Sequence, residues 1–520
     1  MKHVSRNRAA ALLLTILMLL SIMPLAAAET ESPELPITTE PVTLTVFAGL
    51  DSNLTGIIND YNENQFFQEL EKRTGVHLEF IIPASGEEKQ NYNLMIASGE
   101  LADFICHNGF SYPEGMDAAV DDGYYLDLTP YLDTYLKDYN RVRTSNEVME
   151  KSTTTDAGRV VGLHILYTEP QGPWMGLQVR KDWLDELGLD IPVTFEDWEV
   201  MLTKFKDEKG TYAPLSIGSH GWMETSHALS AGFGVYEDFM QVNGQVLYGP
   251  AEEGWKEYIT LLNDWYKKGL IDPDFMTNGQ WQVDTAMVAS GQTGAWNAMY
   301  TMPSLYESLV PGMEVIAVTS PVKESGDELH IRRENGYVGN AVSISASCKY
   351  PEIAMKLWNY FYTEEGSLLC NYGVENDTFT YDETGKPVVT EKISNNPQYS
   401  MSQAQALYLM PPSRFGGLYD WTRELASVPT KDVKAYDIWG AADDAYILPA
   451  RISYTSDESR ERAKLVAEIN TYMQEKTVAF ITGVSDIDSE WDSYIQTLND
   501  LGLARAIEIT QAALDRFNAR

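Results

Sequence analysis

The sequence predicts an α/β fold with a largely parallel sheet, because short apolar runs of strand period alternate with segments of helical period. Val42-Thr43-Leu44-Thr45-Val46-Phe47 alternates as a first strand, Phe66, Phe67 and Leu70 mark a helix, and Val76 to Ile82 is a second strand. A further helix ends at Ser98-Gly99-Glu100-Leu101-Ala102-Asp103 and feeds the short apolar strand Phe104-Ile105-Cys106. No internal repeat or low-complexity segment interrupts the pattern.

The densest local signal is Val179 to Trp198, VRKDWLDELGLDIPVTFEDW. Val179 closes an apolar strand, and Trp183, Leu184 and Leu187 fall on one helical face. Gly188 stops that helix, Pro192 breaks the chain, and Thr194 opens a Thr-x-x-Asp capping box ahead of Trp198.

At the N-terminus, Lys2, Arg6 and Arg8 form a basic region, Ala9 to Met23 is an apolar run, and Ala26-Ala27-Ala28 is a small-x-small cleavage site. Residues 1–28 therefore read as a signal peptide, with an uncleaved anchor as the alternative. Glu29 to Pro41, acidic and proline-rich, reads as a flexible linker. Nothing after residue 28 approaches the ~20 apolar residues of a spanning helix. A formal charge of −38, made more negative by loss of the basic signal segment, disfavours nucleic acid, anionic lipid and any polyanion steered by bulk charge. Solubility accounts for the acidity equally well.

Cys106, Cys348 and Cys370 form no CxxC pair and allow at most one bridge, for which Cys348 and Cys370 would be the partners, but three small buried hydrophobes is the better-supported reading. His220, Glu224 and His227 stand at i, i+4 and i+7, but Gly221 disturbs a helix start and no fourth metal ligand follows. Asp486, Asp488, Glu490 and Asp492 imitate an EF-hand, yet Trp491 occupies the glycine position and Thr497 that of the bidentate Glu. They fit better as acids at a helix start. No GxSxG elbow, P-loop, strand-following GxGxxG or HExxH is present, and with 76 acidic residues pairs such as Asp121-Asp122 and Asp443-Asp444 arise by chance. No catalytic residue, cofactor or metal is expected.

The 179–198 stretch closely resembles the family-1 extracellular solute-binding proteins of ABC importers, in particular the lipoprotein LplA-like branch of Gram-positive bacteria. Further similarity runs from about residue 42 to the C-terminus: Ser98 to Phe104 (SGELADF), Asp156 to Leu163, Tyr372 to Asn376, Asp382 to Lys386, Phe480 to Gly483, Glu490 to Tyr494 and Ala513 to Phe517. The resemblance implies a two-lobed, periplasmic-binding-protein-like fold of type II, hinged, with the ligand cleft between lobes. Crossings are then expected near 163–175, 336–340 and 411–416, where Gly172-Pro173, Gly336-Tyr337-Val338-Gly339, and Pro411-Pro412 with Gly416-Gly417 supply turn residues. Lobe 1 would comprise 42–163 and 337–415, and lobe 2 would comprise 164–336 and 416–520 with the C-terminal helices. Many relatives carry a lipid-attachment cysteine directly after the signal; Leu25-Ala26-Ala27-Ala28-Glu29 has none, so the expected location is secreted or cell-surface associated. Several also carry a loop resembling a calcium site where this chain has Lys206 to Pro214, which offers two carboxylates flanked by lysines, and no calcium is expected there.

Aromatic residues are abundant, with 12 Trp, 30 Tyr and 16 Phe. Rings stack on pyranose faces while acids, amides and Arg bind hydroxyls, so a sugar cleft needs both; most such rings are nonetheless core. Seven positions are singled out. Phe110 follows a strand end, where open α/β sheets place ligands. Trp296 resembles the stacking tryptophan of maltodextrin-binding relatives. Trp174 and Tyr337 lie by expected crossings, Trp421 follows the third, Trp222 sits in a Gly/Ser/His-rich loop, and Asp51 past the first strand is a candidate hydroxyl acceptor. The resulting expectation is a monomeric binding protein that captures a carbohydrate, in particular an oligosaccharide, and delivers it to membrane permease subunits. A peptide or other nutrient is the alternative ligand, and a secreted carbohydrate-active enzyme the alternative class.

Overall fold

The computed structural model describes residues 34–217, 226–277, 282–332, 336–411, 414–426 and 428–520. The chain opens with β1 (Val42–Phe47), the helix Gln65–Thr74, β2 (Val76–Ile81), the helix Glu88–Ser98 and β3 (Phe104–Cys106). Phe66, Phe67 and Leu70 bury the expected helical face, and Gly99 ends the next helix in the left-handed region at φ 73°. Next come β4 (Leu163–Tyr167), β5 (Met175–Arg180), β6 (Leu215–Ser216), a hairpin of β7 (Phe239–Val242) and β8 (Gln245–Tyr248), β9 (Ala295–Met299) and β10 (Val315–Ala317). The last strands are β11 (Val338–Ile344), a hairpin of β12 (Phe379–Tyr381) and β13 (Pro387–Val389), and β14 (Gly417–Tyr419).

Two main sheets result, in the orders β14-β4-β11-β3-β1-β2 and β10-β5-β9-β6. Each has its own core, one drawn from 42–166 and 338–415, the other from 177–331 and 469–514. The protein is therefore two-lobed. The expectation of largely parallel sheets is corrected: β1 pairs parallel with β2 and β3, but β11 runs antiparallel to β3 and β4, and β5 antiparallel to β9 and β10. β11 enters from the other lobe instead of through a βαβ crossover, the connection that would set it parallel to its neighbours.

Two boundaries also move. β4 and β14, assigned to the second lobe by divisions after 163 and 415, pair with each other in the first sheet (Ile165 opposite Gly417). Phe415 explains why 411–416 is not a crossing, since its ring packs within about 5 Å of Tyr61 and Phe67 in the first core. The chain leaves this lobe only after Tyr419.

In the second lobe the helix Lys181–Leu187 follows β5 directly and is closed by Gly188 at φ 62°. Thr194 and Asp197 complete a reciprocal capping box at the start of the helix Phe195–Lys209, which buries Trp198, Met201, Leu202 and Phe205. That helix runs through Asp207 and Glu208 to Gly210, so the first half of 206–214 is helix and not loop. Helices Ser456–Thr482, Ile487–Asp500 and Leu503–Ala519 complete the core, and Asp486 caps the second of them by accepting from the Ser489 N–H at 2.9 Å. This accounts for the EF-hand-like acids. His227 has left-handed backbone at φ 55° and lies 3.0 Å from Glu237, so it does not continue a helix from His220 and Glu224, which lie outside the described residues.

All three cysteines are buried and free, so the Cys348–Cys370 pairing is not formed. Burial pushes the Cys348 thiol up to about 12 and raises the other two as well. A thiol-reactive dye should accordingly label almost nothing in the folded protein and three sites per chain after denaturation. Two sites or fewer in the denatured, unreduced sample would contradict the free state.

Candidate functional site

The carboxyl end of β3 runs into a cavity of about 660 Å³ whose walls come from both lobes. The first lobe supplies the 107–118 turn, residues 152–156, Gly162 and His164 around β4, and Asn340 and Ala341 of β11. The second supplies 450–456, a segment anchored in its core through Ile447, Leu448 and Ile452. Arg520 reaches the same rim.

Neutral imidazoles and one cation occupy the inner wall. His107 donates its backbone N–H to the Ala341 carbonyl at 2.9 Å, and its Nε2 lies 3.0 Å from Ser343 Oγ. Burial, with a lesser contribution from Arg451, holds its imidazole down to about 4. His164 is also buried and held well below the usual histidine range, again chiefly by burial and then by Arg451. Tyr139 donates its hydroxyl proton to the Gly162 carbonyl at 2.9 Å, so its oxygen accepts from His164 Nδ1 at 3.0 Å and leaves His164 Nε2 as an acceptor. Arg451, from the second lobe, donates from Nη2 to the Gly339 carbonyl on β11.

Aromatic surface lines the outer part. Phe110 is half-buried, with its ring 4.8 Å from that of Tyr92; Tyr112 and Tyr454 face the same space. Tyr112 is fixed by donating to Asp122 Oδ2 at 2.6 Å. Along the rim Asp156 of the first lobe binds Arg516 at 2.8 Å and Arg520 at 2.6 Å, while Arg516 also holds Glu458 at 2.6 Å. Burial raises the Asp156 carboxyl, but the two guanidiniums together hold it below its ordinary value.

Of the sequence-predicted residues, Phe110 lines this cavity. Trp296 does not, and its assignment as a stacking ring is corrected: the side chain is 0 % exposed, lies edge-on to Tyr306 at 5.4 Å, and donates from Nε1 to Gln178 Oε1 at 3.1 Å. β9 is an interior strand flanked by β5 and β6, and both its faces are covered. Asp51 is likewise corrected as a hydroxyl acceptor. It is buried, and its Oδ1 accepts from the backbone and side-chain N–H groups of Asn53 at 2.9 and 3.0 Å, capping a helical turn. Trp174 is exposed in the first crossing. Tyr337 is half-buried before β11, its carbonyl accepting the Tyr167 N–H at 2.9 Å. Trp421 packs on Tyr167 and Tyr419, each at 6.2 Å. These three border the crossings and not the cavity, and Trp222 lies outside the described residues. Sequence reasoning missed His107, His164 and Arg451. Only His164 carries a local signal, a polar residue inside the apolar run Leu163-His164-Ile165-Leu166.

The family described as bacterial extracellular solute-binding protein matches residues 55–367. The chain belongs to that family. This solute-binding protein is 23 % identical over 490 residues to the fructooligosaccharide ABC transporter substrate-binding protein FusA of Streptococcus pneumoniae, with 88 % of each chain covered. Among solved structures, an HMO-binding, ABC-transporter-associated solute-binding protein from Bifidobacterium longum infantis superposes with a TM-score of 0.74 at 20 % identity, covering 92 % of this chain and 99 % of that one. The alginate-binding protein AlgQ2 gives 0.71 at 22 % identity, with the same coverage of both chains. The two-lobed fold is thus that of the family's solved members, and those relatives are binding proteins, not enzymes.

Proposed function

We propose that this protein captures an oligosaccharide outside the cell and presents it to the permease subunits of an ABC importer, acting as a monomer and without chemistry on the ligand. The observation that carries this reading is the interlobe cavity, which joins the rings of Phe110, Tyr112 and Tyr454 to hydroxyl, imidazole and guanidinium groups in a space within the ~300–1,000 Å³ of small-molecule sites. Rings offer an apolar face to a pyranose, and the polar groups offer partners to its edge. The oligosaccharide ligand named for FusA supports the choice of solute. Residues 1–28 act as the export signal, and the absence of a cysteine at position 29 leaves the mature chain without a lipid anchor at that site.

A ligand gripped by both lobes favours the closed arrangement by its differential affinity. Thermal-shift screening against glycan and peptide panels should find a glycan that raises the unfolding temperature, and small-angle scattering with that glycan at saturation should show a smaller radius of gyration. Stabilisation by peptides alone would replace the sugar with a peptide. Release of shorter saccharides by the purified protein would make it an enzyme.

A further inference from the structure

The cavity wall holds a cation that the fold leaves without an acid. Arg451 is largely buried, and among the described residues its Nε has no hydrogen-bond partner and its Nη2 donates to the Gly339 carbonyl alone. Among the described residues no carboxylate pairs with it. Of the four acids that line the same cavity, three are engaged elsewhere, Asp156 by Arg516 and Arg520, Asp121 by Arg159 at 2.8 Å, and Asp117 by the Thr155 hydroxyl at 2.6 Å, while the fourth, Glu114, forms no ion pair with Arg451 among the described residues. The other guanidinium on the rim, that of Arg520, already has its counter-ion. Burial draws the Arg451 guanidinium below its ordinary value, opposed only weakly by the nearby phenols of Tyr139 and Tyr167, which are themselves uncharged. Its imidazole neighbours, His107 and His164, are neutral.

A buried guanidinium lacking a counter-ion is destabilising unless something arrives to pair with it, and the planar fork of Arg suits a carboxylate in bidentate geometry. We infer that Arg451 is the specificity-determining residue of the cleft and that it reads a carboxylate on the ligand, making the cognate solute an acidic oligosaccharide with a uronate-type residue seated at the inner wall. This rests on the oligosaccharide reading above. A carboxylate fits the charge count better than a phosphate monoester, because one guanidinium among neutral imidazoles matches a single negative charge, whereas a phosphate brings about −1.5 to −2. The net charge of −38 disfavours a long polyanion, so the acid is read at one defined place on a short ligand. Arg451 is carried by the second lobe and touches β11 of the first, so a carboxylate bound there contacts both halves of the cleft.

The test is calorimetric titration of the purified protein with tri- and tetrasaccharides that carry one galacturonate, glucuronate or mannuronate residue on otherwise neutral sugars, each against its carboxyl-reduced counterpart. At least one acid should bind at least tenfold more tightly than its reduced form. Arg451→Gln should abolish that preference, bringing the acid and its reduced form to equal affinity, and Arg451→Lys should retain part of it. The unfolding midpoint of Arg451→Gln should not fall, since an unpaired buried charge is being removed; a Gln variant that loses several degrees and binds both forms equally poorly would make Arg451 a structural residue and overturn the inference. Equal binding of acidic and reduced forms by the parent protein, or binding of neutral oligosaccharides only, would overturn it and leave the oligosaccharide reading standing. Failure of every saccharide, acidic or neutral, would remove both.

Discussion

Trp296→Ala is expected to lower the unfolding free energy by about 3–5 kcal/mol, as truncation of a buried tryptophan does, and to leave ligand affinity of the folded protein unchanged. The ring is enclosed by Val283, Val288, Ala298, Tyr306, Met313 and Val315, a satellite core beneath the second sheet. Its indole N–H satisfies Gln178, itself 0 % exposed, whose amide nitrogen is committed to the Met299 carbonyl at 2.8 Å. Truncation therefore opens a cavity and also strands a buried carbonyl oxygen, the latter worth about 1–3 kcal/mol alone. Trp296→Phe separates the contributions, because it keeps most of the volume and loses only the donor. Its loss should be near the stranding value. Urea unfolding of the two variants checks both figures, and a midpoint unmoved by Trp296→Ala would put the ring back at a solvent-facing surface.

The second large effect is a loss of stability on mild acidification. His107 is neutral in the folded protein at any pH above about 4, and the His164 imidazole is held well below the usual histidine range. In the unfolded chain each takes up a proton near pH ~6.5. Below that value the unfolded state binds protons that the native state refuses, so stability falls as pH drops toward 4 and is unaffected above about 7. His107 alone contributes a slope of up to about 1.4 kcal/mol per pH unit, or about 3 kcal/mol over the whole window. The groups that face these rings are Ser343, Tyr92, Tyr125, Tyr139, Arg143 and Arg451, none of them a carboxylate that would favour the imidazolium. Paired acids such as Asp156 and Glu458 act in a different window, losing their contribution only as pH falls below the ordinary carboxylate values of about 4. Urea unfolding at pH 7.5, 6 and 5 should thus show a decline that His107→Gln and His164→Gln each reduce. A flat profile across that range would mean that one or both imidazoles are charged in the native state.

What was legible in the sequence was local. Gly188 and the Thr194–Asp197 box act through i to i+3 or i+4 geometry, so the residues that decide the structure stand beside one another in the chain. Trp296 was not legible in the same way. Small neighbours at Gly294 and Ala295 suit a ring packed in a core or one laid open in a cleft equally well, and the residues that decide between them, Gln178 and Tyr306, come from another strand and a later helix. Arg451 left no pattern at all, because being without an acid is a property of everything folded around it. β14 escaped because three residues after a Gly-Gly pair are too few to show strand period, and its place is set by β4, more than 250 positions earlier. The site was therefore read less well than the frame: Phe110 was placed by the general behaviour of strand ends, while the charged and imidazole groups of the inner wall depend on tertiary neighbours.

The interleaved sheet has a consequence for how the chain must mature. β3 and β4 do not pair with one another, since both take their missing neighbour from β11, and Ser343 meets His107 across 236 positions. A chain emerging N-terminus first thus leaves the facing edges of β3 and β4 open, with their unsatisfied peptide groups, throughout synthesis of the second-lobe residues that lie between β4 and β11. Closure of long-range pairs is slow and exposes sticky intermediates. The first lobe can become watertight only as β11 and then β14 arrive, so holding the nascent polypeptide unfolded until its last third has appeared is a requirement written into the strand order itself.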